Sequence, residues 1–199
     1  SQFVNVGVIM LLIIFQPEVR KFLLMLGSST PFRNQNWLTG LFKKTSSSLI
    51  YDEHFIKNLV DACFKMAQKK TGALIIFAEN PEIHNWFNSG ISLNANFSAE
   101  LLISIFNKNS PLHDGATVIS NKKIVASACI LPLSKKDNLP SHLGLRHRAG
   151  LGATESVGVS AIIISEENGK ISYSEKGNIH MNLSKDQLSD YISLLNKTQ

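Results

Sequence analysis

The chain has 199 residues, 44% apolar and 18% charged, with a net charge of +5. This composition supports a folded domain with an extension and excludes a disordered chain. Residues 1–50 hold five bases (Arg20, Lys21, Arg33, Lys43, Lys44) against Glu18 alone, leaving 15 bases and 14 acids in residues 51–199. The basicity is that of an arm on a near-neutral globule, not of a nucleic-acid-binding body, so no nucleic-acid partner is expected.

The first element is the apolar run "FVNVGVIMLLIIF", Phe3 to Phe15. Its thirteen residues are fewer than the roughly 20 that span a bilayer. No basic region precedes it and no small-residue cleavage site follows, so a secretory signal fits poorly. The chain begins with Ser1, and Arg20 and Lys21 follow the run. The expectation is that residues 1–26 are the end of a transmembrane helix, with the rest on the cytoplasmic side of the cell membrane. A buried or partner-facing amphipathic helix is the alternative. Residues 27–50, rich in Ser, Thr, Asn and Gly, form a basic polar linker. Its Trp37, Phe42, Lys43 and Lys44 suit either a membrane surface or a solvated connector.

The globular part is expected from Tyr51 onward. Phe55, Ile56, Leu59, Val60, Cys63, Phe64 and Ala67 fall at helical spacing in residues 52–69. "TGALIIFAE" is a short buried strand, and "NPEIHNWFNSG" a turn or short helix followed by loop. Residues 98–109 are expected to be a helix capped by Ser98. A strand over 115–120, a hairpin turn "SNKK" and a return strand "KIVASACILPL" follow. Residues 134–143 are a polar loop, and 144–153 are helical despite Gly150 and Gly152. "VGVSAIIIS" and "KISYSEKG" are strands around the turn "EENGK", and Ser184 caps a last helix over 185–196. Mixed helices and hairpin-linked strands predict an α/β domain, a mixed central sheet flanked by helices. Cys63 and Cys129 match no disulfide or zinc spacing and are expected as buried thiols.

The chain has no G-x-x-x-x-G-K-[ST] loop, no H-E-x-x-H and no G-x-S-x-G, and "GLGATE" fails the dinucleotide fingerprint at its third glycine. Three short stretches carry chemistry instead. In "HDG", residues 113–115, a carboxylate ahead of a glycine suits metal binding or general-base work, with His113 as a second metal ligand. D-G also simply makes turns. In "LGLRHRAGLG", Arg146, His147 and Arg148 suit a phosphate if they open a helix. Within a helix, Arg146 and Arg148 point about 200° apart, and a solvated basic turn is the alternative. In "SEENG", Ser165, Glu166 and Glu167 end an apolar strand and could face a site, or merely form a hairpin turn. Together the three stretches fit metal-assisted phosphoryl or nucleotidyl transfer.

"PLHDGA" followed some thirty residues later by "LGxRHRA" resembles the membrane-anchored class of the diadenylate cyclase family. "TGALI", "ELLISIF", "ILPLS" and "SEENG" share the likeness, which covers roughly residues 51–199. "IIFQPEVRKFLLMLG" is similar to the segment where those cyclases leave the membrane. The resemblance implies an ATP-binding nucleotidyltransferase that joins two ATP into cyclic di-AMP, a second messenger, and releases two pyrophosphates. It implies Asp114, Gly115 and Ala116 as the catalytic stretch, with Asp114 activating the ribose 3′-hydroxyl. It assigns phosphate binding to Arg146, His147, Arg148, Ser165 and Glu166. It assigns adenine binding to the backbone around Leu131, and Mg²⁺ or Mn²⁺ to His113, Asp114 and Glu167. Two protomers would have to face each other, and a regulatory protein partner has a place beside them. Many relatives carry threonine before R-H-R, where this chain has Leu145. A non-catalytic nucleotide-binding regulatory module tethered to the membrane is the alternative.

Overall fold

Asp52 opens the first helix by accepting the Phe55 N–H at 2.9 Å, leaving its other carboxylate oxygen to Lys122 at 2.6 Å. The computed structural model describes residues 15–16, 51–136, 143–156 and 158–196. The expected membrane helix (save Phe15 and Gln16), the linker and residues 137–142 of the polar loop lie outside them. Residues Leu49–Gln199 form one compact unit. Among the described residues no helix is long and apolar enough to cross a membrane.

Four helices and seven strands are described: α1 (Glu53–Gln68), β1 (Ala73–Ala78), β2 (Ile91–Asn96), α2 (Ala99–Ile105), β3 (Ala116–Ser120), β4 (Lys123–Cys129), α3 (Leu145–Thr154), β5 (Val159–Ile164), β6 (Ile171–Glu175), β7 (Asn178–His180) and α4 (Lys185–Leu194). Short 3₁₀ turns occupy Pro81–Ile83 and Asn85–Ser89. The strands form one sheet in the order β2-β4-β3-β1-β5-β6-β7. Only β1 and β3 pair in parallel, and the other pairs are antiparallel.

Every residue of β1 is buried because both faces of the sheet are covered. Ala73, Ile75 and Phe77 point into a core built with α1, α2 and α4. Leu74, Ile76 and Ala78 join a second core with Ala153 of α3, Trp86 and Leu131. The helix ends follow local chemistry. Ser98 caps α2, and Ser184 with Gln187 forms a capping box on α4.

Three expectations are corrected. "ISLNAN", taken as loop, is the edge strand β2; its polar residues face solvent and Asn94 sits at a register shift with φ +49°. The helix from 98 stops at Ile105, before "NKNS" can extend it. The return strand stops at Cys129, so "ILPL" leaves the sheet. The three-residue edge strand β7 had no counterpart in the sequence reading.

Asn196, just past α4, holds the start of the domain: its Oδ1 accepts the Tyr51 N–H at 2.9 Å and its Nδ2 donates to the Tyr51 carbonyl at 2.8 Å. Asn196→Ala is expected to remove about 2 kcal/mol of stability, a fall of several degrees in Tm. An unchanged thermal unfolding curve would show that this clasp is dispensable.

Candidate active site

The register of four strands gathers the chemistry-bearing stretches. Ala73 pairs with Ile164, and Ala116 with Cys129. The starts of β1 and β3 therefore share one edge of the sheet with the ends of β4 and β5. "TG" leads into β1, "HDG" into β3, "ILPLS" leaves β4 and "SEENG" leaves β5, so stretches distant in sequence meet there. The N-terminus of α3 joins them through an ion pair, Arg146 Nη1 to Glu166 Oε2 at 2.8 Å.

The lead-in to β3 is built to hold its turn. The Ser127 hydroxyl donates to the Leu112 carbonyl at 3.2 Å and lies 2.8 Å from Thr117 Oγ1. His113 Nδ1 stands 2.7 Å from the Ser110 carbonyl. A carbonyl only accepts, so Nδ1 carries a proton, and Nε2 is the ring nitrogen left for another partner. Asp114 is exposed at the mouth of the strand. Gly115 has φ +104°, and a Cβ there would meet the Ala128 carbonyl carbon and the Cys129 oxygen, each at 2.8 Å. The D-G pair does bend the chain, and the bend holds the exposed Asp114 carboxylate at the strand mouth. The Ala116 side chain is buried in the core on the α3 side.

The loop after β4 is pinned at both ends. Ser89 Oγ accepts the Ile130 N–H at 2.9 Å, and the Ser134 N–H donates to the Arg148 carbonyl at 3.0 Å. The Leu131 side chain is buried, so its backbone is what it can offer a ligand, between exposed Ile130 and Leu133. α3 lies close against this loop and the sheet because two of its residues lack side chains. A Cβ on Gly152 would overlap the Pro132 carbonyl, and one on Gly150 would stand 2.9 Å from Ile163 Cγ1. The glycines that weaken the sequence signal for this helix are what seat it.

No side chain caps α3, whose N-cap is Gly144. Its positive end, the Arg146 guanidinium and the first-turn backbone make an anion-favouring corner. Arg146 and Arg148 do not act as a pair: Arg146 turns to Glu166, while the Arg148 side chain is exposed. His147 is half-buried, and its N–H donates to the Gly144 carbonyl at 3.1 Å. Leu145 is 73% exposed and offers no hydroxyl. Ser165 Oγ accepts the Glu167 N–H at 3.3 Å, which leaves its own proton free to donate.

The structure does not bring the three expected metal ligands together within one chain. β3 and β5 flank β1, so their backbones run about 10 Å apart, and Glu167 belongs to the β5 end. Among the described residues, no group of three His, Cys, Asp or Glu is placed to hold an ion. His113 Nε2 and the Asp114 carboxylate still fit a hard divalent cation that takes its remaining ligands from phosphate and water. The thiols are no rivals for the chemistry: burial pushes Cys129 up to about 11 and Cys63 up to about 12.

Gly72 was absent from the sequence-based site. It is buried beside Arg146 and Glu166, and only its position at a strand mouth, like that of Gly115, could have marked it.

The family described as DisA bacterial checkpoint controller nucleotide-binding matches residues 60–179. The chain is 36% identical over 194 residues to the cyclic di-AMP synthase CdaA of Bacillus subtilis, covering 96% of this chain and 67% of that protein. It is 35% identical over 156 residues to a diadenylate cyclase of Mycoplasma pneumoniae, covering 77% and 76% of the two. In three dimensions it is similar to a double mutant of DacA from Staphylococcus aureus, with TM-score 0.68, 37% identity, and 71% and 94% coverage. It is also similar to a hypothetical membrane spanning protein from Bacillus cereus, with TM-score 0.59, 35% identity, and 64% and 63% coverage. The chain thus spans about two thirds of the length of its Bacillus subtilis relative.

Proposed function

We propose, from the premise that the chain belongs to the diadenylate cyclase family, that it condenses two ATP into cyclic di-AMP and two pyrophosphates. The observation that carries this reading is the strand register, which sets Asp114 and the Arg146–Glu166 corner on one sheet edge, one strand apart on either side of β1. That spacing of about 10 Å suits a nucleotide lying along the edge, its ribose at Asp114 and its phosphates at α3.

In each half-reaction a ribose 3′-oxygen bonds to the α-phosphorus of the other ATP, and the bond from that phosphorus to the bridging oxygen of pyrophosphate breaks. Asp114 takes up or relays the 3′-hydroxyl proton. Gly115 keeps the turn tight against β4, and Leu131 offers backbone polar groups to adenine. Arg146, the α3 N-terminus and the Ser165 hydroxyl hold phosphate oxygens and favour charge on the leaving group. His113 and Asp114 would hold Mg²⁺ or Mn²⁺, which when bound supplies charge neutralisation to the phosphates. One chain offers one such edge, so in-line attack requires two copies facing each other across a two-fold axis. The exposed Ile130, Leu133 and Leu145 beside the site support such a meeting of copies. The N-terminal apolar run would tether the domain to the membrane, and a partner acting there would regulate it.

The full chain incubated with ATP and Mn²⁺ or Mg²⁺ is expected to yield cyclic di-AMP by mass spectrometry, with a rate that rises faster than linearly with protein concentration while dimers are scarce. Bound but unconverted ATP under dimerising conditions would favour the non-catalytic nucleotide-binding module instead.

A further inference from the structure

The chain leaves α1 through Lys70, at φ +51°, and enters β1 through Thr71 and Gly72. Gly72 is buried, and its φ lies outside the left-handed region, so its backbone would accept any residue. The demand for glycine is one of space. A Cβ at this position would stand 2.8 Å from Arg146 Nη1, 3.1 Å from Arg146 Cζ and 3.0 Å from Glu166 Cβ. The guanidinium and the first carbon of its partner occupy the volume that a side chain at 72 would fill.

We propose that Gly72 is a positioning residue that seats the phosphate-binding guanidinium of Arg146. The bare backbone at the mouth of β1 lets Arg146 settle into its 2.8 Å ion pair with Glu166. That pair fixes one edge of the guanidinium fork and leaves its other N–H groups for a nucleotide phosphate. Glu166 then acts through Arg146 rather than on the phosphate, which its own negative charge would repel. The inference rests on the reading of this edge as an ATP site.

The atom that a methyl group at 72 meets first is the far end of a flexible side chain, so Gly72→Ala displaces the guanidinium, while Glu166 Cβ at 3.0 Å has only a few tenths of an ångström to give. The probe is 3′-deoxy-ATP with Mn²⁺, which lacks the attacking hydroxyl and cannot turn over. Its Kd is measured by calorimetry for the full wild-type chain, Gly72→Ala, Arg146→Ala and the double variant, with Tm recorded for each. Gly72→Ala is expected to weaken binding roughly tenfold beside Arg146 and to add nothing in the Arg146→Ala background, with Tm close to wild type. Unchanged affinity in Gly72→Ala, or the same loss in both backgrounds, overturns the proposal. Where Gly72→Ala does not fold, Glu166→Gln carries the same cycle: a loss confined to the Arg146 background supports the proposal and an equal loss in both overturns it. A wild-type chain that binds no nucleotide overturns the underlying site reading, an outcome distinct from either.

Discussion

Asp114→Asn is expected to abolish cyclic di-AMP formation, lowering turnover by roughly 10²–10⁴-fold while Tm stays near wild type. The carboxylate is exposed and makes no ion pair among the described residues, so the fold does not depend on its charge. The amide keeps the size and loses the ability to take a proton. Product formation by mass spectrometry and nucleotide affinity by calorimetry separate the two effects. Full turnover in the variant would remove Asp114 from the reaction, and a loss confined to ATP affinity would leave it with the metal-holding role alone.

Gly115→Ala is expected to fail in the opposite way, through the fold. A Cβ at φ +104° is strained, and here it would also press on two backbone atoms of β4, neither of which can swing aside. Strain and overpacking together predict a loss of about 2–4 kcal/mol, or roughly 5–15 °C in Tm for a domain of this size. Activity would fall with it, because the turn that presents Asp114 is held by this contact. Thermal unfolding followed by circular dichroism checks the stability. A variant with native Tm would mean that β4 can recede from the turn.

The contrast between these variants shows what the sequence disclosed. "HDG" is legible as a turn with a carboxylate because both properties are local. The capped helices α2 and α4 and the buried strand β1 are legible for the same reason: a serine before an apolar period, or a run of apolar residues bounded by polar ones. The edge strands β2 and β7 escape notice for other reasons: β2 does alternate, Ile91, Leu93 and Ala95 against Ser92, Asn94 and Asn96, but its asparagines are poor strand formers, and the three residues of β7 are too few to show a period. What no local pattern can reveal is register. That Glu166 serves Arg146, that Glu167 sits a strand away from His113 and Asp114, and that Gly72 lies under the guanidinium all depend on how β1, β3 and β5 align. Gly150 and Gly152 show the same limit from the other side: a helix propensity scale counts them as defects, while the packing uses them as clearances.

The central placing of β1 also governs when the protein comes into being. Its partners β3 and β5 begin at Ala116 and Val159, so both edges of "ALIIFA" stay open while most of the domain is still to be synthesised. An uncharged, β-prone hexamer with open edges is a template for pairing with other chains. Long-range strand pairing of this kind is slow to form. The same strand that aligns the candidate site is therefore the stretch of the described sheet that waits longest for both of its neighbours, and the one most exposed to pairing between newborn chains.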